Sequence, residues 1–176
     1  MMRHWFPANI WRMSIASAML LCMLLEGCQT QTQTQTKPLY RGLTQTQVNA
    51  LKSEGFQETE EGFELGSSEP ILFDFDRYDL KPDVRRIVER IGHTLVSVGI
   101  VSVRVYGYTD AVGTNAYNFR LSERRAETVA AELVDIGLAP GRVYAIGKGK
   151  RDPVGDNRTD AGRAQNRRAA IVVSPR

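Results

Sequence analysis

Residues 101–107 read Val-Ser-Val-Arg-Val-Tyr-Gly. Val101, Val103 and Val105 alternate with Ser102, Arg104 and Tyr106, the two-residue period of a strand with one buried face. The flanking stretches carry a different period. Val84, Ile87, Val88, Ile91 and Leu95 fall on one helical face, behind Pro82 near a first turn. Val129, Ala130 and Leu133 mark a second amphipathic helix over 121–136, stopped by Gly137. Apolar runs at 71–76, 143–146 and 170–173 read as further short strands. The order is β-α-β-α-β-β, which predicts an α+β layer sandwich with helices over one sheet.

Composition agrees with that scale. A chain of 176 residues suits one domain of about 100–150 residues plus extensions. With 42% hydrophobic and 24% charged residues, it is not a disordered chain, a collagen-like fibre or a polytopic membrane protein. The net charge of +3 is spread along the chain, so no nucleic-acid partner is expected.

The N-terminal part divides into three. Arg3 and Arg12 precede an apolar run over 13–25, the length of a signal-peptide core and short for a membrane span. Leu25-Glu26-Gly27-Cys28 follows and resembles a bacterial lipobox, with Glu26 where a small residue is usual. Residues 1–27 are therefore expected to be a lipoprotein signal peptide, with Cys28 as the acylated first residue of the mature chain. Cys22 would be removed with the signal, so no internal disulfide is possible in the mature chain. Two or more acyl chains anchor stably, and the resemblance to sorted lipoproteins implies the outer membrane as the anchoring surface, since Gln29, not aspartate, follows the cysteine. Residues 28–39 hold a Gln/Thr alternation with nothing to bury, which reads as a flexible tether of at most about 40 Å.

Residues 40–66 read as a small helix-hairpin extension. Thr44 and Gln47 have the spacing of a capping box, and Val48 and Leu51 follow at helical spacing. Gly55 is a plausible stop, and Phe56 and Phe63 flank a polar turn. So small a section cannot bury a core alone. Leu51, Phe56 and Phe63 either dock onto the main domain, over 67–176, or are offered to a protein partner.

Three ordered motifs lie in the main domain. They are Gly107-Tyr108-Thr109-Asp110-x-x-Gly113, Tyr117-Asn118-x-x-Leu121-Ser122-x-x-Arg125-Ala126 and Gly162-Arg163-x-x-Asn166-Arg167-Arg168. Together they closely resemble the OmpA-like domain family, which includes the Pal lipoproteins and binds peptidoglycan without a covalent bond. The resemblance covers about residues 69–174 and implies the same α+β fold. It also implies a ligand, the stem peptide of diaminopimelate-type peptidoglycan. By that resemblance Asp110 takes an ammonium group and Arg125 a carboxylate, while Asn118 and Arg167 line the same site. The chemistry suits the residues, because a guanidinium offers a carboxylate two parallel donors and an ammonium does not. The family usually has histidine where this chain has Tyr108, so a titrating group near neutral pH is missing there.

The residues read alone leave another role open. Arg125 lies four after Leu121 and four before Val129, along an apolar stripe, and a cation there needs a partner. Asp110 could serve as that partner with no ligand involved.

The extension has its own resemblance. Gly42-Leu43-Thr44-x-x-Gln47-Val48-x-x-Leu51, Glu54-Gly55-Phe56 and Glu61-Gly62-Phe63-Glu64-Leu65-Gly66 resemble the start of YfiB-type lipoproteins. That implies a soluble periplasmic repressor, YfiR-like, as a partner, and relief of inhibition of an inner-membrane diguanylate cyclase. The alternative is a Pal-like structural tether with no signalling partner. Neither implies a cofactor. Asp74 and Asp76 could share one face of a strand, but acids at a strand end more often close a turn. His93 stands alone in a helix, and no ligand set for a metal is assembled. No enzymatic activity is expected.

Overall fold

The computed structural model describes residues 42–65 and 69–174. The signal peptide expected at 1–27, the acceptor Cys28 and the tether at 28–39 lie outside the described residues. Helix α1 (Gln45–Ser53) opens on the expected capping box: Gln47 N–H donates to Thr44 Oγ1 at 3.2 Å, and Thr44 N–H to Gln47 Oε1 at 2.9 Å. Gly55, at φ +85°, turns the chain into the hairpin of β1 (Phe56–Thr59) and β2 (Gly62–Leu65). Then follow β3 (Ile71–Leu72), α2 (Pro82–Ser97), β4 (Val103–Gly107), α3 (Asn115–Ile136), β5 (Val143–Gly147), α4 (Asp160–Asn166) and β6 (Arg168–Val173).

The strands form one sheet in the order β1-β2-β6-β4-β5, with β4 and β5 parallel and the other pairs antiparallel. One edge of β6 is taken by β4. The other is shared end to end: β2 pairs at Val172 and Val173, and β3 at Arg168 and Ala169. The hairpin at residues 56–65 is therefore the continuation of the main sheet.

That arrangement decides the role of the apolar residues of the 40–66 extension. Leu51, Phe56 and Phe63 all lie in the main core, at 1%, 3% and 0% exposure, with Val88, Ile91, Leu95, Val105 and Ile171. The partner-facing role considered for Leu51, Phe56 and Phe63 is corrected: the inward one holds in this structure. Burying a side chain of this size contributes about 1.5–3 kcal/mol; Leu51 enters the core from α1, which packs on β1 and α2, and the pairing of β2 with β6 carries Phe56 and Phe63 into it. The opposite face of the sheet holds a smaller cluster of Tyr106, Tyr108, Ala170 and Val172, with no helix in it.

Several elements differ from the sequence reading. The strand expected over 71–76 ends at Leu72, because the next carbonyls turn away from the sheet toward a buried cation. Asp76 there has φ +59°. The helix expected from 121 starts at Asn115, capped by Thr114, whose Oγ1 accepts from Tyr117 N–H at 3.2 Å. Apolar periodicity misses that first turn because Asn115, Ala116 and Tyr117 are exposed and the buried Asn118 is polar. Helix α4 was not expected: it is short and polar, and its signal is Thr159, which caps Gly162 N–H at 3.0 Å.

Candidate functional site

The site is built at the C-terminal end of β4. Gly107 closes that strand, and a Cβ there would lie 1.9 Å from Ser122 O. A Cβ on Gly147 in β5 would lie 2.7 Å from Ser122 Oγ. These two glycines let α3 rest directly on the parallel pair of strands. Ser122 then locks the contact, accepting from Gly149 N–H at 2.8 Å and donating to Phe119 O at 2.7 Å. With α3 so placed, Arg125 lies beneath the loop that leaves β4.

Arg125 is fully buried. Its guanidinium does not contact a carboxylate. Nε donates to Arg77 O at 2.8 Å, Nη1 to Tyr108 O at 2.8 Å and Nη2 to Asp74 O at 3.1 Å. Its ζ carbon sits 5.1 Å from the centre of the Phe73 ring. Each of its three nitrogens thus holds one carbonyl, taking three of its five N–H donors. Burial pulls this guanidinium down to about 10, against the nearby charges of Asp110 and Asp76, while Arg167 adds to the fall. At neutral pH it remains a cation.

Asp110 is also buried, and its contact partner is Arg167. Oδ2 accepts from Arg167 Nη1 at 3.2 Å, and Oδ1 from Val112 N–H at 3.0 Å. The ion pair considered between Asp110 and Arg125 is thus replaced by one between Asp110 and Arg167. Arg167 Nε reaches Phe73 O at 3.2 Å. Asn118 is buried, and its Nδ2 donates to Val112 O at 2.8 Å, which fixes the loop between Asp110 and α3. Asn166, the buried residue of the third motif, ties loop 154–157 through Val154 N–H and Gly155 N–H at 2.8 and 2.9 Å.

Asp110, Asn118, Arg125 and Arg167 all line one cleft of about 200 Å³. The structure brings the four sequence-predicted residues together. It adds others to which the sequence reading gave no role in the site. Phe75, Val112 and Tyr117 form an exposed apolar rim. Asp76 accepts from the Tyr117 hydroxyl. Thr109 Oγ1 is buried in the cleft wall with no hydrogen-bond partner. A signal for Thr109 was present, since it precedes Asp110 in the quoted motif. Asp74 and Asp76 are not a carboxylate pair: Asp74 bridges Lys81 at 2.7 Å, while Asp76 meets Tyr117.

The cleft combines two guanidinium groups, Arg125 and Arg167, with two carboxylates, Asp110 and Asp76. Such a floor is complementary to a zwitterion, and the apolar rim suits the methylenes between its charged ends. Tyr108 takes no part in the cleft. It lies under Arg168 on the other face of the sheet, 3.8 Å from guanidinium carbon to ring centre. Burial pushes its phenol up to about 12. His93 is on the exposed side of α2. Among the described residues no group of acidic, histidine and cysteine side chains has the makings of a metal site, and no helix is long and apolar enough to cross a membrane.

The sequence profile of the OmpA family matches residues 72–167, from β3 through Arg167. The chain belongs to the OmpA family. It is 40% identical over 167 residues to the outer-membrane lipoprotein YfiB of Pseudomonas aeruginosa, covering 95% of this chain and 94% of that one. It is 35% identical over 161 residues to the putative lipoprotein YfiB of Escherichia coli K12, covering 91% and 96%. Among solved structures, the peptidoglycan-associated lipoprotein of Burkholderia pseudomallei is 34% identical with a TM-score of 0.54, over 57% of this chain and 86% of that one. The family match spans the cleft residues and leaves out the hairpin. Similarity to the two YfiB proteins spans nearly the whole chain, including the hairpin that widens the sheet.

Proposed function

We propose that this chain binds peptidoglycan non-covalently, holding the diaminopimelate end of a stem peptide in the cleft of Asp110, Asn118, Arg125 and Arg167. The observation that carries the reading is the buried Arg125, caged by three carbonyls yet touching no carboxylate. A cation placed so is expensive without an anion, and a ligand carboxylate supplies one. Asp110 is positioned by Val112 N–H and Arg167 to receive the ammonium group. Arg167 and Asn118 position the loop and the carboxylate around it.

The protein is an outer-membrane lipoprotein facing the periplasm, as its whole-length similarity to YfiB lipoproteins indicates. Within our proposal Cys28 is the acylated residue, and the lipid holds the folded part within reach of the cell wall. The role is binding, with no reaction assigned to the cleft. We further propose that it captures a YfiR-like periplasmic repressor, a reading supported by similarity that continues through residues 42–65. Leu51, Phe56 and Phe63 are core residues, so that partner would meet other parts of the surface.

The test is sedimentation of the full chain, in detergent, with purified peptidoglycan, beside Asp110→Asn and Arg125→Ala. Wild type is expected in the pellet, released by free diaminopimelate, with both folded variants in the supernatant. Wild type remaining soluble would overturn the reading. The repressor is tested by adding a purified YfiR-like periplasmic protein. Its failure to co-elute with the chain leaves the Pal-like tether as the function.

A further inference from the structure

The cleft does not close at its rim. Beyond Asp76, Tyr117 and Leu121, which it shares as a wall, a second hollow of about 290 Å³ runs along the start of α3. Its other lining residues are Tyr78, Arg120 and Arg124. Both tyrosines are partly exposed, and Arg124 lies 5.4 Å from the centre of the Tyr78 ring.

The two arginines are four residues apart and therefore neighbours on the helix surface. Like charges at that spacing oppose helix formation. Glu123 and Glu127 lie three residues beyond them, at a spacing that permits pairing. Yet among the described residues neither Arg120 nor Arg124 is in an ion pair. Two guanidinium forks outside any ion pair, that of Arg124 over the Tyr78 ring, opening from a cleft built for a zwitterion, make a site for one more carboxylate.

We infer that this hollow is a second anion subsite, taking the free α-carboxylate of the D-glutamyl residue that precedes diaminopimelate in the stem peptide. This rests on the cell-wall reading above. That glutamyl residue is joined onward through its γ-carboxyl, so its α-carboxyl remains ionised. The shared wall places the neighbour of a residue seated in the cleft over Arg120 and Arg124. Amidation of that carboxyl removes the charge and one acceptor oxygen, so the subsite distinguishes amidated from unamidated cell wall.

The experiment is titration calorimetry of the full chain, in detergent, with L-Ala-γ-D-Glu-diaminopimelate and with its α-carboxamide counterpart. Wild type is expected to bind the carboxylate form about tenfold more tightly. Arg120→Gln/Arg124→Gln is expected to bind both peptides alike, at the level of the amide, with unchanged affinity for free diaminopimelate. A control pair of exposed arginines, Arg86→Gln/Arg142→Gln, removes the same charge and is expected to keep the tenfold preference. Equal binding of the two peptides by wild type would overturn the inference alone, and so would equal loss in the control pair. If neither peptide nor free diaminopimelate binds wild type, the cell-wall reading itself falls.

Discussion

Arg125→Lys is the substitution that separates geometry from charge. The charge is kept, but one nitrogen replaces three. In the native protein each nitrogen serves a different carbonyl, those of Arg77, Tyr108 and Asp74, at 2.8, 2.8 and 3.1 Å. A lysine ammonium on an unforked stem can retain one of these. Two buried carbonyls then lose a charge-assisted bond, each contributing about 1.5 kcal/mol or more, so the expected loss of stability is about 3 kcal/mol. The contact with the Phe73 ring weakens as well. A domain stable by about 5–15 kcal/mol still folds after such a loss. Urea denaturation followed by circular dichroism reads the change as a lower midpoint at constant slope. Calorimetry with free diaminopimelate reads the second effect, at least a tenfold weaker affinity once the bidentate fork is gone. A stability loss below about 1 kcal/mol would refute the carbonyl cage as the reason for arginine here. Wild-type affinity in a folded lysine variant would remove Arg125 from the ligand's contacts.

Thr109→Val replaces a buried, unpartnered hydroxyl by a methyl of the same shape; the denaturation midpoint should hold or rise, while diaminopimelate binding weakens several-fold, and unchanged binding would show that the hydroxyl does not meet the ligand. Gly107→Ala puts a methyl 1.9 Å from Ser122 O, so α3 must move, and urea unfolding should show a loss of about 2 kcal/mol or more together with weaker binding. Phe63→Ala should cost about 3–5 kcal/mol by the same assay, and a loss under 1 kcal/mol would mean that the hairpin is independent of the main core. Tyr108 supplies the pH test. Its phenol is pushed up to about 12 in the folded protein by burial, while the unfolded chain ionises it near 10. Between those values the unfolded state has already released the proton that the folded state still holds, so stability falls as pH rises through that window. Tyr108→Phe should abolish that part of the alkaline loss, and an identical alkaline profile would refute the assignment.

Much of this protein is legible one neighbourhood at a time. Val103 and Val105 alternate because a strand places successive side chains on opposite faces. Val84, Val88, Ile91 and Leu95 share the face that α2 buries. Thr44 and Gln47 cap α1 through contacts three residues apart. Each of these depends on steric rules acting within a few positions, so spacing reveals it. The motifs likewise marked Asp110, Asn118, Arg125 and Arg167 as residues that belong together, and they meet in one cleft.

How those residues meet was decided by the tertiary structure. Asp110 pairs with Arg167, 57 positions away, because β4 and β6 lie side by side and antiparallel, so that the end of β4 meets the start of β6. No local pattern carries that distance. The partners of Arg125 are backbone carbonyls, which every residue possesses, so no side-chain pattern could announce them. Leu51, Phe56 and Phe63 had two roles open until the packing of α1 on β1 and α2 and the pairing of β2 with β6 placed them in the core. Sequence alone determined the helices and strands that carry an apolar period, since periodicity is a property of near neighbours; the polar α4 and the end of β3 at Leu72 carry none. The sharing of β6's edge, the carbonyl cage and the second hollow beside Arg120 arise from crossings of distant segments, and only the folded chain contains them.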